Sequence, residues 1–352
     1  MDPVTHMLVG AAVGQITAGR ALGFGRAALW GAVAAELPDI DVIVSAVTAG
    51  DPLHMLVSHR GATHSLWFGP LVGILGGYLL SRSTDPPNVG ARTWMLLLTA
   101  ALLSHPLLDW CTHYGTQLLS PFSDRRFALP ALPIIDLVFT AILAVGLVCS
   151  AWFLRRRRPN RAVWSCVLAL VAVAGYVVYG LRLNAAAEEW ARKDLAASGA
   201  DIAVVNAFPT ILQLHYRRVV ARTPSEDWVG FVSMAHPCKI VWDHRPRDDS
   251  AIVATLRGSA EGRIFEWFAT GLTAAYSDQR RVFLTDLRYG LATDVLSGAW
   301  RLEADIGAIP AALGTPRFVQ GPRPAVSAEN VLLLFREAYP HSCEAQAGTL
   351  DF

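Results

Sequence analysis

Seven ionisable side chains in the first third of this sequence fall into groupings that could hold a metal ion. They are His6 in VTHMLVG, Asp39 and Asp41 in ELPDIDV, His59 and His64 in HRGATHS, and His105 and Asp109 in SHPLLDWCTHYG. His105 and Asp109 stand four apart, so a helix would stack them on one face with about 6 Å between their β-carbons. One rigid element then offers a neutral imidazole nitrogen and a carboxylate oxygen, a pairing that suits a divalent cation. Asp39 and Asp41 cannot share a helical face, but an extended turn lets both reach one centre. At the end of an apolar helix two negative charges need a compensating cation. Gly61 would let the loop between His59 and His64 turn tightly, with Thr63 or His64 opening the next helix. His113 continues the four-residue stride if the helix persists. His54 has no partner in this pattern.

Four histidines and three aspartates are more than one four-coordinate zinc site can use. Two cations about 3.5–4 Å apart, bridged by carboxylates, would use them, and that arrangement serves phosphoester hydrolysis by supplying hydroxide at neutral pH and clamping charge on phosphoryl oxygens. The imidazole-rich set favours zinc, then manganese or iron, over magnesium or calcium. Arg60, Arg125, Arg126 or Thr63 would steady a phosphoryl oxygen in the transition state. His113 is the candidate general acid. Asp136 would either orient a histidine or stand as an interfacial carboxylate.

The elements that must position these groups belong to a membrane. Of 352 residues 53% are hydrophobic and only 17% charged, against about a quarter charged in soluble proteins. The charges crowd into the second half. The expectation is an α-helical integral membrane domain over residues 1–184 and a small, mainly β, extracytoplasmic domain over 185–352. Four stretches are long enough to span, Ser65–Leu80, Thr93–Trp110, Ile134–Leu154 and Ala162–Leu183. Two shorter Gly- and Ala-rich stretches, Met7–Thr17 and Ala27–Leu37, suit buried half-helices or re-entrant segments. The N-terminus has no basic region and no cleavage site of a removable signal. Arg20 and Arg26, Arg82 and Arg92, and RRRRPNR at 155–161 mark cytoplasmic turns. Alternation then gathers all seven candidate ligands on the outer side of a bacterial inner membrane, together with everything after Asn184. Arg60, Arg125 and Arg126 run against that bias. With net charge +1, no nucleic-acid partner is expected.

Past Asn184, AAAEEWARKDLAASG continues the last span as a helix. The runs ILQLHYRRVVA, WVGFVSM, CKIVWDH, RIFEWFA, RVFLTDLRYG and WRLEADI suggest antiparallel strands, and VLLLFREAY a short helix. Cys149 and Cys166 lie in apolar runs and suit packing. Cys238 and Cys343, the only two in the polar half, leave a disulfide open if they face an oxidising compartment.

In order, THMLVG, LPDID, HRGATHS, SHPLLDWCTHYGTQLLSPFSDRRF and LPIIDLVF resemble the YdjM family of membrane-bound metal-dependent hydrolases, also described as LexA-binding. The resemblance covers roughly residues 1 to 180, and the seven candidate ligands fall on that family's characteristic polar positions. It implies a hydrolase, phospholipase-like in character, and a LexA contact on the strength of the family alone. PDIDV departs from the pattern by lacking the histidine that often follows the second aspartate. The order of His, Asp, His and HxxxD is loosely similar to zinc-dependent phospholipase C and P1 nuclease. The function expected is metal-dependent cleavage of a phosphoester in a lipid or lipid-linked substrate. A non-enzymatic protein, anchoring its outer domain through a structural metal, is the rival. A transporter would instead place its ligands near the midplane.

Overall fold

Small residues at four-residue spacing decide how the first helices pack. In α1 (Pro3–Leu22) Gly10 and Gly14 face Gly31 and Ala27 of α2 (Phe24–Glu36), and a β-carbon at Gly10 would run into the carbonyl of Gly31. The same device joins α5 (Phe68–Ser83) to α6 (Ala91–Trp110), with Gly69, Gly73 and Gly77 against Leu103, Thr99 and Met95. That descending order makes α5 and α6 antiparallel. Close backbone approach through small residues is how helices associate where the surroundings are as apolar as the side chains.

The computed structural model describes residues 1–48, 52–83, 89–291, 294–296, 298–307, 313–320 and 328–343. Between α2 and α5 lie a one-turn 3-10 helix at Leu37–Asp39, α3 (Ile40–Thr48), α4 (Pro52–Ser58) and a second 3-10 turn at Ala62–His64. After α6 come α7 (Leu137–Arg155) and α8 (Pro159–Ala197). The chain divides into two compact units, residues 1–50 with 58–180, and residues 51–57 with 181–352.

Helix directions in the first unit follow from its contacts. His6 near the start of α1 stacks on His105 near the end of α6, with ring centroids 3.7 Å apart. Arg20 near the end of α1 donates to Asn160 at the start of α8, 2.6 Å. Thr5 meets Thr140 of α7 at 2.8 Å. At mid-height Gln15 accepts from Ser150 of α7 and Cys166 of α8, a polar tie between three helices. The bundle therefore has one end bearing His6, His105 and the start of α7, and another bearing Arg20, Arg155 and Asn160.

Two helices among the described residues, α7 and α8, are long and apolar enough to cross a membrane, against the four spans expected. The 16 residues of α5 reach about 24 Å, short of a hydrocarbon core of about 30 Å. Arg92, His105 and Asp109 thin the apolar stretch of α6. In the other direction, α1 is a full 20-residue helix where a half-helix was expected.

In the second unit, β1 (Val204–Thr210), β2 (Gln213–Arg222), β3 (Glu226–Ser233) and β4 (Trp242–Pro246) form one antiparallel meander. A second comprises β5 (Thr273–Ser277), β6 (Arg281–Asp286), β7 (Trp300–Asp305) and β8 (Arg317–Gln320). Val219 and Ala221 of β2 pack with Ala187, Ala191 and Leu195 of α8, while Val220 packs with Ala274, Leu287 and Val295. Both faces of the strand are buried, which is why VVA is an unbroken apolar run and not an alternating one. Two short helices, α9 (Ala251–Gly258) and α10 (Ala260–Phe268), precede β5, and α11 (Ala328–Ala338) follows β8. RIFEWFA, expected as a strand, lies largely in α10. Ser259 caps it by accepting from Gly262 N, and Phe265 and Phe268, three apart, are its buried stripe. CKIVWDH pairs as a strand only from Trp242. Cys238 and Cys343 form a disulfide with Cα atoms 5.5 Å apart.

Candidate metal centre

The end of α6 supplies two of the central groups. His105 and Asp109 lie on one face as their spacing requires, both buried. Helix α6 then stops, because Thr112 turns back with its backbone N–H and its hydroxyl both donating to the Asp109 carbonyl, 3.1 and 2.8 Å. His113 is thus carried off the helix. It is buried but belongs to neither ligand group in the structure, so the four-residue stride does not extend to it.

The two short 3-10 turns bring the remaining groups. Asp39 ends the first and His64 ends the second. One atom each from Asp39, His64, His105 and Asp109 lies within 4.8 Å of the others. His64 Nε2 is 3.1 Å from His105 Nε2, 3.2 Å from Asp39 Oδ1 and 3.4 Å from Asp109 Oδ2. His105 Nε2 is 3.3 Å from Asp39 Oδ1 and 3.5 Å from Asp109 Oδ2. Tetrahedral zinc with bonds of about 2.0–2.1 Å spaces its ligand atoms about 3.3 Å apart.

The protons on these imidazoles are dictated by their other nitrogens. His105 Nδ1 lies 2.6 Å from the carbonyl oxygen of Ala35, which can only accept, so Nδ1 carries the hydrogen. His64 Nδ1 faces Asp41 Oδ2 at 3.3 Å and Thr63 Oγ1 at 3.1 Å, and that hydroxyl already donates to Asp41. Nδ1–H is again required. Each neutral ring then points an Nε2 lone pair at the other, beside two carboxylates, and only a cation relieves that arrangement. Asp39 Oδ1 is buried and has no hydrogen-bond partner among the described residues, as a metal ligand would. The residues fit a divalent metal.

Electrostatics agree. Burial alone would raise the Asp39 and Asp41 carboxyls, but the imidazoles of His105 and His64 hold Asp39, and those of His59 and His64 hold Asp41, well below the usual carboxylate range. Burial would lower His64, yet its contacts with Asp109, Asp39 and Asp41 push it up to about 10, so without metal a proton serves as the cation.

Asp41 does not join Asp39 at one point. It lies in the first turn of α3, where the helix dipole favours negative charge, and not at a helix C-terminal end. Its Oδ1 takes His59 Nδ1 at 3.0 Å, and its Oδ2 takes Arg60 N at 3.1 Å and Thr63 Oγ1 at 2.9 Å. Asp41, His59 and His64 form a second, overlapping group that shares His64. His6 stacks on His105 and stands 3.3 Å from Asp109 Oδ1, outside the four-atom set. That same oxygen is paired with the Met1 amine and with Arg60 Nη2 at 3.0 Å.

Arg60, and not Gly61, carries the positive φ of the HRGATHS turn, +61°. Its guanidinium also donates to Thr112 Oγ1 at 3.0 Å and lies over the Tyr114 ring. Arg126 is buried, donating to the Tyr114 and Gly115 carbonyls at 2.8 and 2.9 Å and lying over the Tyr114 ring, so it braces the Tyr114 loop. Arg125 is exposed over Phe127. Asp136 caps α7, accepting from Val138 N, Phe139 N and the Tyr176 hydroxyl. Glu36, one turn before Asp39, carries no ligand spacing that marks it in the sequence. Burial, reinforced by the Asp39 carboxylate and opposed by His105, pushes its carboxyl up to about 7.

A family model described as YdjM inner membrane protein matches residues 1–183, which contain every residue of this centre. Neither the curated proteins nor the solved structures provide a match to the chain.

Proposed function

Because this chain belongs to the YdjM inner membrane protein family, we propose that its first unit is a membrane-embedded metal-dependent hydrolase cleaving a phosphoester of a lipid or lipid-linked substrate. The observation that carries the reading is the pair of Nε2 lone pairs 3.1 Å apart, each ring fixed by its Nδ1 hydrogen bond and flanked by Asp39 and Asp109. Those four side chains would hold the metal, zinc by ligand type, with manganese or iron as alternatives. When bound, such a cation is a Lewis acid that activates water and offsets charge on a phosphoryl oxygen. In this reading Asp39, His64, His105 and Asp109 hold one ion, and Asp41 and His59, engaged with each other and with neighbouring donors, form the overlapping group that a second ion would use.

The chain's own groups divide the remaining work. Asp41 and the Ala35 carbonyl hold the two histidines in the ligating tautomer. Arg60 neutralises one oxygen of Asp109 and leaves the other turned toward the histidines. Glu36, poised near neutrality, exchanges protons with substrate or water. Asp39 is 24% exposed where His64, His105 and Asp109 are closed off, which suits a site open to substrate better than a sealed structural one. Exposed apolar side chains occur on neighbouring elements, Ile43 and Val47 on α3 and the mutually contacting Trp67 and Phe122, and a lipid substrate is consistent with such surfaces.

In this reading α7 and α8 cross the inner membrane, with α1, α5 and α6 beside them. The arginine-bearing end is cytoplasmic and the second unit extracytoplasmic. The Cys238–Cys343 disulfide supports that sidedness, since such bonds persist in oxidising compartments. Metal analysis of purified protein tests the centre. The His105→Ala, Asp109→Ala variant is expected to lose most bound metal while keeping its helical circular dichroism. Unchanged metal content in a folded variant would refute the assignment.

A further inference from the structure

Away from the metal ligands, the first unit carries a groove of about 840 Å³ between α7 and α8. Its wall is apolar, with Val145, Phe153, Trp164 and Leu168, and Arg161 stands in its lining. The Ser165 hydroxyl in the same wall is turned back onto the carbonyls of Arg161 and Ala162. Gly146 shapes the groove, since a β-carbon there would collide with Ala169 and force the helices apart.

Charge singles out one end. Arg155, Arg156, Arg157, Arg158 and Arg161 are all exposed, and the stretch RRRRPNR contains no carboxylate. Arg161 lies over the Phe153 ring, both in the groove's lining, and Arg156 lies over Trp152, the residue before Phe153. Along α7 the lining runs from Leu137 to Phe153, about 24 Å, and along α8 from Arg161 to Ala169, about 12 Å, so the groove is long enough to take an acyl chain. An apolar trough opening onto cations that pair with no carboxylate among the described residues is complementary to an amphiphile with a negative head and an alkyl tail. A neutral lipid would leave the guanidinium cluster uncompensated, and an apolar helix would do the same.

We propose that this groove binds an anionic phospholipid, with an acyl chain along Val145 and Leu168 and its phosphate held by Arg158 and Arg161. The test measures association of spin-labelled phosphatidylglycerol and spin-labelled phosphatidylcholine with the full-length protein in phosphatidylcholine nanodiscs, by electron paramagnetic resonance. The wild type should prefer phosphatidylglycerol about fivefold or more. Arg158→Gln with Arg161→Gln should bring the two lipids to near parity. Val145→Trp, which fills the trough and keeps every arginine, should also remove the preference. Equal association of both lipids with the wild type would overturn the proposal, as would a preference that survives the arginine changes. A preference untouched by Val145→Trp would overturn it too, since attraction would then belong to the arginine run alone and the groove to another occupant, such as a helix of a second copy.

Discussion

At the scale of single residues, Asp41 would serve the proposed metal through His64, whose ring it orients. Four donors converge on it, from His59, Arg60, Thr63 and His64, and through His64 Nδ1 it fixes which nitrogen faces the centre. Removing such an outer partner characteristically costs about 10–100-fold in metal affinity. Asp41→Asn is therefore expected to bind zinc in that range more weakly while staying folded, measured by competition with a chelator. Wild-type affinity in that variant would sink the role. Acidity adds a second expectation at the same scale. Because His64 without metal is protonated up to about pH 10, ligation must expel that proton. Apparent affinity should thus rise with pH, about tenfold per unit for one displaced proton. A flat profile between about pH 6 and pH 8 would contradict His64 as a ligand. The residue types of the centre were legible in the sequence, but their division of labour was not. Two aspartates two positions apart look equivalent until a 3-10 turn and the start of α3 send them to different partners. His113 looked like the next step on a helix that Thr112 ends.

Elements were legible where one periodicity ruled and illegible where tertiary contacts chose. The glycines of α1, α2 and α5 are visible in the sequence as small-residue spacing, whereas RIFEWFA has the aromatic content of a strand and becomes α10 through the Ser259 cap and its three-residue stripe. Likewise α5 has the composition of a span and not the length. The disulfide was an open alternative because no spacing rule pairs Cys238 with Cys343. It is the fold of α11 that brings them together. Leu334 and Ala338 of that helix pack on Tyr216 and Phe231, and Ser233 donates to the Ala338 carbonyl at 2.6 Å. The bridge closes a separation of 105 residues, so its loss should matter. The Cys238→Ser, Cys343→Ser variant of the full chain is expected to lose about 2–4 kcal/mol from the second unit's stability, read as a lower urea midpoint for proteolysis of that unit. An unshifted midpoint would mean that the contacts of α11 hold this region without the bond.

At the scale of the whole molecule, two independent features ask for the same orientation. In the first unit arginines gather at the bundle end opposite the metal centre, at Arg20, Arg155 and the run that follows. In the second unit the Cys238–Cys343 disulfide is of a kind that persists in oxidising compartments. Positive charge is retained on the cytoplasmic side during insertion. If both features hold, the arginine run and the second unit lie on opposite sides of the inner membrane, a condition that either feature alone leaves open. Single cysteines test it in a background where Cys111, Cys149 and Cys166 are replaced by serine. Asp249→Cys occupies a site 74% exposed in the second unit, and Arg157→Cys occupies the exposed arginine turn. A membrane-impermeant maleimide applied to cells whose inner membrane is intact should label Asp249→Cys and spare Arg157→Cys until that membrane is opened. The reverse pattern would put the disulfide in a reducing compartment and the metal centre at the cytoplasmic face. Labelling of both positions before opening would mean that the chain does not cross between them.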